Sequence, residues 1–310
     1  MDVSIIIVNY NTKQLLADCL KSIYEQTKNI DFEVIVSDNG SKDGSIEMLK
    51  QDFPQVILIE NNANLGFGAA NNRGLEVAKG KYIFYLNSDT ILLNNAVKIF
   101  FDYWEENGEK GNLGALGCNL LDSEGNITLS YGNSLGETDT VDNLIKKRLS
   151  TLCASYKVAI KYYIFRKKLN TVISTRPILN YTGCVGYITG ADLFLKNDSN
   201  AIFDEKFFLY YEETDLQWRL SKKELNRVLI SGPQIVHYEG GSEKKVKLEV
   251  VNLSCFSAIN LYKSSIYFLK KNHIASSFQI YVLKILTFLI WINPLVFSKT
   301  RKHIFSMFII

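Results

Sequence analysis

Val3-Ser4-Ile5-Ile6-Ile7-Val8 is an apolar, β-branched run that stops at Asn9-Tyr10-Asn11. Its lack of alternation suits a parallel strand buried on both faces. Leu15, Leu16, Cys19, Leu20 and Ile23 then recur at helical spacing, and Phe32-Glu33-Val34-Ile35-Val36 starts a second strand that stops at Ser37-Asp38-Asn39-Gly40-Ser41. The cycle repeats with a short helix from Ile46 to Leu49 and a strand Val56-Ile57-Leu58-Ile59 that ends at Glu60-Asn61-Asn62. A glycine-rich turn into a helix follows over Asn64 to Leu75, and Tyr82-Ile83-Phe84-Tyr85-Leu86 predicts a strand that breaks off at Asn87-Ser88-Asp89-Thr90. Ala96 to Trp104 predicts a further helix, Leu113 to Cys118 another buried strand, and Asp122-Ser123-Glu124-Gly125-Asn126 a hairpin-like turn. Repeated strand, polar tip and helix predict an α/β fold with a doubly wound, mostly parallel sheet flanked by helices.

Residues 131 to 180 break this rhythm. Lys146, Lys147, Arg148, Lys157, Lys161, Arg166, Lys167 and Lys168 are interleaved with Tyr156, Ile160, Tyr162, Tyr163, Ile164 and Phe165. Such a basic amphipathic insert fits an anionic membrane surface or a phosphate-bearing acceptor, and equally a solvated helical hairpin. Val185 to Leu195 predicts a return of strand and helix, and Phe207-Phe208-Leu209-Tyr210-Tyr211 leads into an amphipathic helix that opens with Glu212, Glu213 and Asp215. Val228-Leu229-Ile230 and Gln234-Ile235-Val236 flank a Gly232-Pro233 turn, and His237 ends the second run. Phe256, Ile259, Tyr262, Ile266 and Leu269 keep helical spacing up to Lys270-Lys271, and Ile280 to Phe297 is nearly all apolar apart from Lys284, Asn293 and Pro294. That stretch is at the short limit for a span. Its lysine and late proline favour an interfacial or re-entrant helix over a transmembrane helix or a soluble helix packed on the core.

Composition narrows the picture little. With 310 residues, 47% of them hydrophobic and 22% charged, the chain has globular proportions, and a formal charge of +3 gives no footprint for nucleic acid. Cys19, Cys118, Cys153, Cys184 and Cys255 form no C-x-x-C pair, so neither a zinc knuckle nor a disulfide framework is signalled, which fits a reducing cytosol. Met1-Asp2 runs straight into a strand without the basic region and cleavage site of a secretory signal, so a cytoplasmic location is expected.

The candidate chemistry lies at the strand ends, where open α/β sheets bind ligands. Asp89 is read as a metal carboxylate, or else as part of an Asx-type cap. The Gly66-x-Gly68 turn permits close backbone approach, the following helix start favours an anion, and Arg73 could fork onto a diphosphate or simply be solvated. A dinucleotide oxidoreductase is poorly supported, because the third glycine of that fingerprint is missing and the turn follows the third strand, not the first. Glu212, Glu213 and Asp215 either complement a helix dipole or oppose one another's ionisation, the condition that poises a general base. His237 is a structural histidine or a metal donor that could share one ion with Asp89.

Taken in order, Val3 to Asn11, Ser37 to Ser45 with its Asp38-Asn39-Gly40-Ser41 turn, Asn64 to Leu75, Leu86-Asn87-Ser88-Asp89, Thr189-Gly190-Ala191, and Phe203 to Arg219 with His237 downstream resemble family 2 glycosyltransferases of the GT-A fold. The similarity is to the bacterial rhamnosyltransferase-like branch, and it covers about residues 1 to 245, leaving 246–310 as a helical, membrane-associating appendage. The resemblance implies that Tyr10 and Asp38 hold ribose and base, that Arg73 contacts the nucleotide or its diphosphate, and that Asn87-Ser88-Asp89 stands for the family's D-x-D element. One of its two acids is replaced by Asn87. It further implies Mn²⁺ or Mg²⁺ held by Asp89 and His237, and a general base at Glu213 with Asp215 as competitor. The implied activity is inverting transfer of a sugar, from dTDP-rhamnose or a UDP-hexose, to a growing, lipid-linked surface polysaccharide at the inner face of the cell membrane. The rival reading is a non-catalytic nucleotide- or glycan-binding module of the same fold.

Overall fold

The computed structural model describes residues 1–108, 110–133, 140–165, 180–238 and 255–293. In chain order the elements are β1 (Val3–Asn9), α1 (Lys13–Gln26), β2 (Phe32–Asp38), α2 (Ser45–Asp52), β3 (Ile57–Glu60), α3 (Phe67–Val77), β4 (Tyr82–Asn87), β5 (Thr90–Leu92), α4 (Ala96–Asn107) and β6 (Leu113–Cys118). They continue with β7 (Tyr131–Gly132), α5 (Val141–Phe165), β8 (Gly183–Cys184), β9 (Tyr187–Ile188), β10 (Asp192–Lys196), α6 (Glu212–Ser221), β11 (Asn226–Ile230), β12 (Ile235–His237), α7 (Cys255–Lys271) and α8 (Ser277–Trp291).

The strands and α1, α2, α3, α4 and α6 form one compact unit. Its main sheet has the order β3-β2-β1-β4-β10-β6-β11-β8. β1 pairs parallel with β2 and β4, and β2 with β3, as the repeated strand–helix rhythm requires, and β6 pairs parallel with β11. β10 is inserted antiparallel between β4 and β6. Alternate side chains feed two cores. Ile5, Ile7, Phe84, Leu86 and Phe194 pack with Leu16, Leu20, Leu49, Val97 and Phe100 from α1, α2 and α4 on one face. Ile6, Ile83, Tyr85, Leu193 and Leu195 pack with Leu216 and Leu220 of α6 and with Leu75 of α3 on the other. Phe194 is the hub of the first core, stacking on Tyr82 at 5.4 Å and on Phe100 at 5.5 Å between ring centroids. Such ring pairs add about 0.5–1.5 kcal/mol each beyond their area burial.

Residues 185–195 fold as β9 and β10 with no helix between, unlike the strand and helix that the sequence predicts. Leu193 and Leu195 enter one core while Phe194 enters the other. A run buried on both faces carries no period by which to tell strand from helix. The runs on either side of Gly232, whose φ is +111°, also part company: β11 joins the main sheet and β12 leaves it to pair with β5.

The second compact unit contains α5, α7, α8 and the short segment Leu209–Tyr211. Tyr156 of α5 donates to the Leu289 carbonyl of α8 at 3.1 Å, and the Tyr262 and Trp291 rings meet at 6.0 Å. Ser276 and Gln279 form a reciprocal capping box that starts α8. Leu209 accepts a hydrogen bond from Ser264 of α7 at 2.8 Å, and the Tyr211 ring lies on Phe268 at 5.4 Å. Among the described residues no helix is long and apolar enough to cross a membrane. The apolar stretch from Ile280 is carried by α8, while its residues 294–297 lie outside the described residues.

Candidate active site

The parallel register brings three strand ends level. Asn9 lies opposite Asp38, and Val8 lies opposite Asn87, so the C-terminal edges of β2, β1 and β4 present polar side chains side by side. Asn9 Nδ2 donates to Asp38 Oδ2 at 2.6 Å, and Asp38 Oδ1 accepts the backbone N–H groups of Gly40 and Ser41 at 3.0 and 2.8 Å. Asn9 Oδ1 accepts from Thr12 Oγ1 at 2.7 Å, and that hydroxyl lies 3.0 Å from Ser88 Oγ. An unbroken hydrogen-bonded chain, Asp38–Asn9–Thr12–Ser88, therefore joins the two ends of this edge. Tyr10 projects into solvent just past β1.

The turn after β4 is fixed by a side chain and by the strand that follows it. Thr90 Oγ1 donates to the Asn87 carbonyl at 2.8 Å, and β5 then pairs antiparallel with β12, with His237 opposite Thr90. That register carries His237 beside Asp89: His237 Nε2 is 3.2 Å from Asp89 Oδ1 and 3.4 Å from Asn87 Nδ2, and the Tyr238 N–H bonds the Asp89 carbonyl at 2.9 Å. Asn87 Oδ1 is buried and has no hydrogen-bond partner. A carboxylate, an imidazole and an orphaned amide oxygen at one turn are a donor set suited to a divalent cation, which would draw its remaining ligands from a bound diphosphate. Among the described residues no group of three or more acidic, histidine or cysteine side chains is placed to hold a metal ion, and at this turn the candidate donors are Asp89 and His237 with Asn87 Oδ1 beside them.

Behind this turn, Asp192 is fully buried at the start of β10, directly across from Leu86. Its Oδ2 accepts the Cys118 N–H at 2.7 Å, whereas Oδ1 has no partner. Burial pushes its pKa up to about 7, against the lowering effects of the Cys118 hydrogen bonds and the His237 charge.

Glu213 lies in the first turn of α6, beside the Thr189-Gly190-Ala191 loop. Gln217 clamps that helix to β9, its amide donating to the Ile188 carbonyl and accepting the Ile188 N–H, each at 2.7 Å. A Cβ on Gly190 would lie 3.5 Å from the Glu213 Cβ, and Ala191 next to it accepts the Asn87 N–H at 3.1 Å. One loop thus touches Glu213 on one side and the Asn87 turn on the other. Burial raises the Glu213 carboxyl above the usual carboxylate range, opposed by the N–H groups of Glu213 and Thr214. Asp215 is fully buried and pairs with Arg219 Nε at 3.3 Å, one turn along the helix. Arg73 sits on the exposed side of α3 with Nη1 3.2 Å from Glu76.

The glycine-rich turn closes the site from the other side. Gly66 has φ +89° and ψ 174°, a Cβ there would collide with the Phe208 carbonyl oxygen, and that same oxygen accepts the Phe67 N–H at 3.0 Å. Asn39 Nδ2 donates to the Gly66 carbonyl at 3.1 Å. Asn72 brackets Phe203, accepting its N–H and donating to its carbonyl, each at 2.9 Å.

Residues 4–162, just over half of the chain, match the model described as Glycosyl transferase family 2. The chain belongs to that family. Among its relatives, the poly(ribitol-phosphate) beta-glucosyltransferase of Bacillus spizizenii is 35% identical over 37% of this chain and 19% of its own length. The Escherichia coli UDP-Glc:alpha-D-GlcNAc-diphosphoundecaprenol beta-1,3-glucosyltransferase WfaP is 37% identical over 33% of this chain and 44% of its own. The chain spans less than half the length of these relatives. The crystal structure of Staphylococcus aureus TarS 1-349 in complex with UDP superposes with a TM-score of 0.52 at 15% identity, over 99% of this chain and 75% of that one. The mannosyltransferase PcManGT from Pyrobaculum calidifontis, in complex with GDP-Man and Mn²⁺, gives 0.53 at 14%, over 97% and 73%. These likenesses show that the family 2 member has the GT-A fold, with its mostly parallel sheet flanked by helices.

Proposed function

We propose that this glycosyltransferase moves a hexose from a nucleoside diphosphate sugar to a lipid-linked glycan of a growing surface polysaccharide, with inversion at the anomeric carbon. The observation that carries the proposal is the continuity of the strand-end edge: the Asp38–Asn9–Thr12–Ser88 chain runs into the Asn87, Asp89 and His237 turn, and one loop links that turn to Glu213. In this reading residues 1–245 are the catalytic domain. Asp38 and Tyr10 border the base and ribose, Arg73 leaves Glu76 to meet the diphosphate, and Asn87 flanks the phosphates. Asp89 and His237 hold Mn²⁺ or Mg²⁺, which supplies Lewis-acid neutralisation of the leaving diphosphate.

Glu213 is the general base. Its carboxylate takes the proton of the acceptor hydroxyl while that oxygen attacks the anomeric carbon in line, and the bonding pair of the cleaved C–O bond leaves with the diphosphate. The raised pKa of Glu213 strengthens it as a proton acceptor, while the Arg219 partner of Asp215 argues for Glu213 over Asp215. One displacement inverts the configuration without a covalent intermediate.

The names of the relatives, a poly(ribitol-phosphate) beta-glucosyltransferase and an enzyme using UDP-Glc on a diphosphoundecaprenol acceptor, support a UDP-hexose donor and a membrane-presented acceptor. The test is release of nucleoside diphosphate from a panel of UDP-, dTDP- and GDP-sugars with Mn²⁺, with and without lipid-linked acceptor. Turnover with a UDP-hexose, increased by acceptor, supports the reading. A preference for dTDP-rhamnose would move it to rhamnosyl transfer, and binding without turnover of any donor would favour the non-catalytic module.

A further inference from the structure

Helix α8 is apolar on two faces. Ile280, Leu283, Leu286, Ile290 and Trp291 are buried. The opposite side carries Phe278 at 74%, Tyr281 at 61% and Ile285 at 37% exposure, spaced at 3 and 4 residues and so on one stripe. A soluble helix that has already buried one face should turn polar residues to water on the other, and α8 does not. At 15 residues it is too short to span a bilayer.

Lysines predominate around this stripe, against Asp142 of α5, which accepts a hydrogen bond from Gln279 Nε2 at 3.0 Å. Neither α7 nor α8 contains an aspartate or glutamate, whereas they carry Lys263, Lys270, Lys271 and Lys284. Lys284 lies three residues beyond Tyr281 on the same stripe, and Lys270 is near enough that its charge, after partial burial, lowers the Lys284 pKa. On α5, which packs against α8, Lys146, Lys147 and Lys157 are exposed together with Leu149 and Ile160. An apolar stripe edged by lysines, on a helix too short to span, matches the physical signature of a segment that lies in the interface of an anionic bilayer. A partner protein patch would call for acidic complements on α7 and α8 as readily as basic ones, and there are none.

We propose that the Phe278–Tyr281–Ile285 stripe of α8, with Lys270 and Lys284 beside it, docks on a bilayer containing anionic phospholipid. The proposal deepens the transferase reading by naming how the enzyme meets its lipid-linked acceptor. Vesicle binding needs no donor or acceptor, so its outcome is separate from that of the donor panel.

The experiment is co-sedimentation of the full chain with vesicles of phosphatidylglycerol and phosphatidylcholine in equal parts, and with phosphatidylcholine alone. Binding is expected to the mixed vesicles, weaker to neutral ones, and reduced by salt. Phe278→Ser/Tyr281→Ser/Ile285→Ser should weaken it at least about 30-fold. Lys270→Gln/Lys284→Gln should cost about fivefold per lysine on the mixed vesicles only. Phe278→Trp, a conservative change, should show a blue shift of indole emission on adding vesicles, which keeps the test intact if the triple variant folds poorly. No binding to the mixed vesicles, binding unaffected by both variant sets, or an emission spectrum of the Phe278→Trp chain that vesicles leave unchanged would overturn the proposal. So would a chain that dimerises in solution through this stripe, seen as a mass halved by the serine variant.

Discussion

Gly66 gives a quantitative test of how the proposed donor pocket is assembled. Its φ of +89° and ψ of 174° lie in a region essentially confined to glycine, where another residue costs roughly 1–3 kcal/mol. A Cβ would also lie 3.0 Å from the Phe208 carbonyl carbon and closer still to its oxygen, which already accepts the Phe67 N–H. Moving that carbonyl aside forfeits a hydrogen bond, about 0.5–1.5 kcal/mol. Gly66→Ala is therefore expected to lose about 3 kcal/mol in total. Gly125 supplies the control: its φ is +84°, yet no atom lies within 4 Å of its would-be Cβ, so Gly125→Ala should cost only about 1–2 kcal/mol. Urea unfolding of both variants measures the difference. The Gly66 change should also raise the donor KM, since the Gly66 carbonyl orients Asn39, while the Gly125 change should not. Equal losses for the two alanines, or an unchanged donor KM, would refute the claim that the Phe208 contact shapes the pocket.

Further outcomes follow from the same geometry. Asp38→Asn sets an amide against Asn9 Nδ2 and should cost about 1–3 kcal/mol, whereas Asn9→Asp/Asp38→Asn restores a donor–acceptor pair and should recover most of it in a double-mutant cycle. Asp192 has a folded pKa of about 7 against a reference of 3.8, so the folded state binds the extra proton between those values and stability falls as pH rises across that window. Asp192→Asn should flatten this slope, gaining up to about 4 kcal/mol on wild type between pH 4 and pH 8 in metal-free thermal or urea unfolding; parallel pH profiles would contradict it. Asp89→Ala and His237→Ala should each abolish measurable Mn²⁺ binding in the presence of UDP by titration calorimetry, and Asn87→Ala should weaken it about 10-fold.

Much of the fold is legible in the chain because each early strand ends in an abrupt polar tip. Val3 to Val8, Phe32 to Val36 and Tyr82 to Leu86 are apolar on both faces and stop at Asn9, Asp38 and Asn87, and the parallel register then brings those tips level. Asp89 and His237 stand out singly as polar residues at strand ends, but their adjacency depends on β12 leaving the main sheet for β5, a pairing across about 150 residues of sequence that no local pattern encodes. Asn39 and Asn72 lie within stretches that the resemblance rests on, but neither they nor Thr12 stand out individually, because an asparagine or threonine in a turn reads as ordinary turn chemistry until its partner is known. Asp192 hides for a related reason: it begins a run buried on both faces, and a lone acid there signals neither a period nor a motif. Arg73 and Asp215 draw notice by their type, and the structure adds that each already has an ionic partner within its own helix.

The general base is the central claim, and Glu213→Gln tests it most directly. The amide keeps the shape of the side chain but cannot take a proton from the acceptor, so sugar transfer should fall about 100- to 10,000-fold while the affinity for UDP-sugar, measured on the same preparation, stays within the error of wild type. Transfer at the wild-type rate, or loss of donor binding in step with loss of transfer, would contradict it.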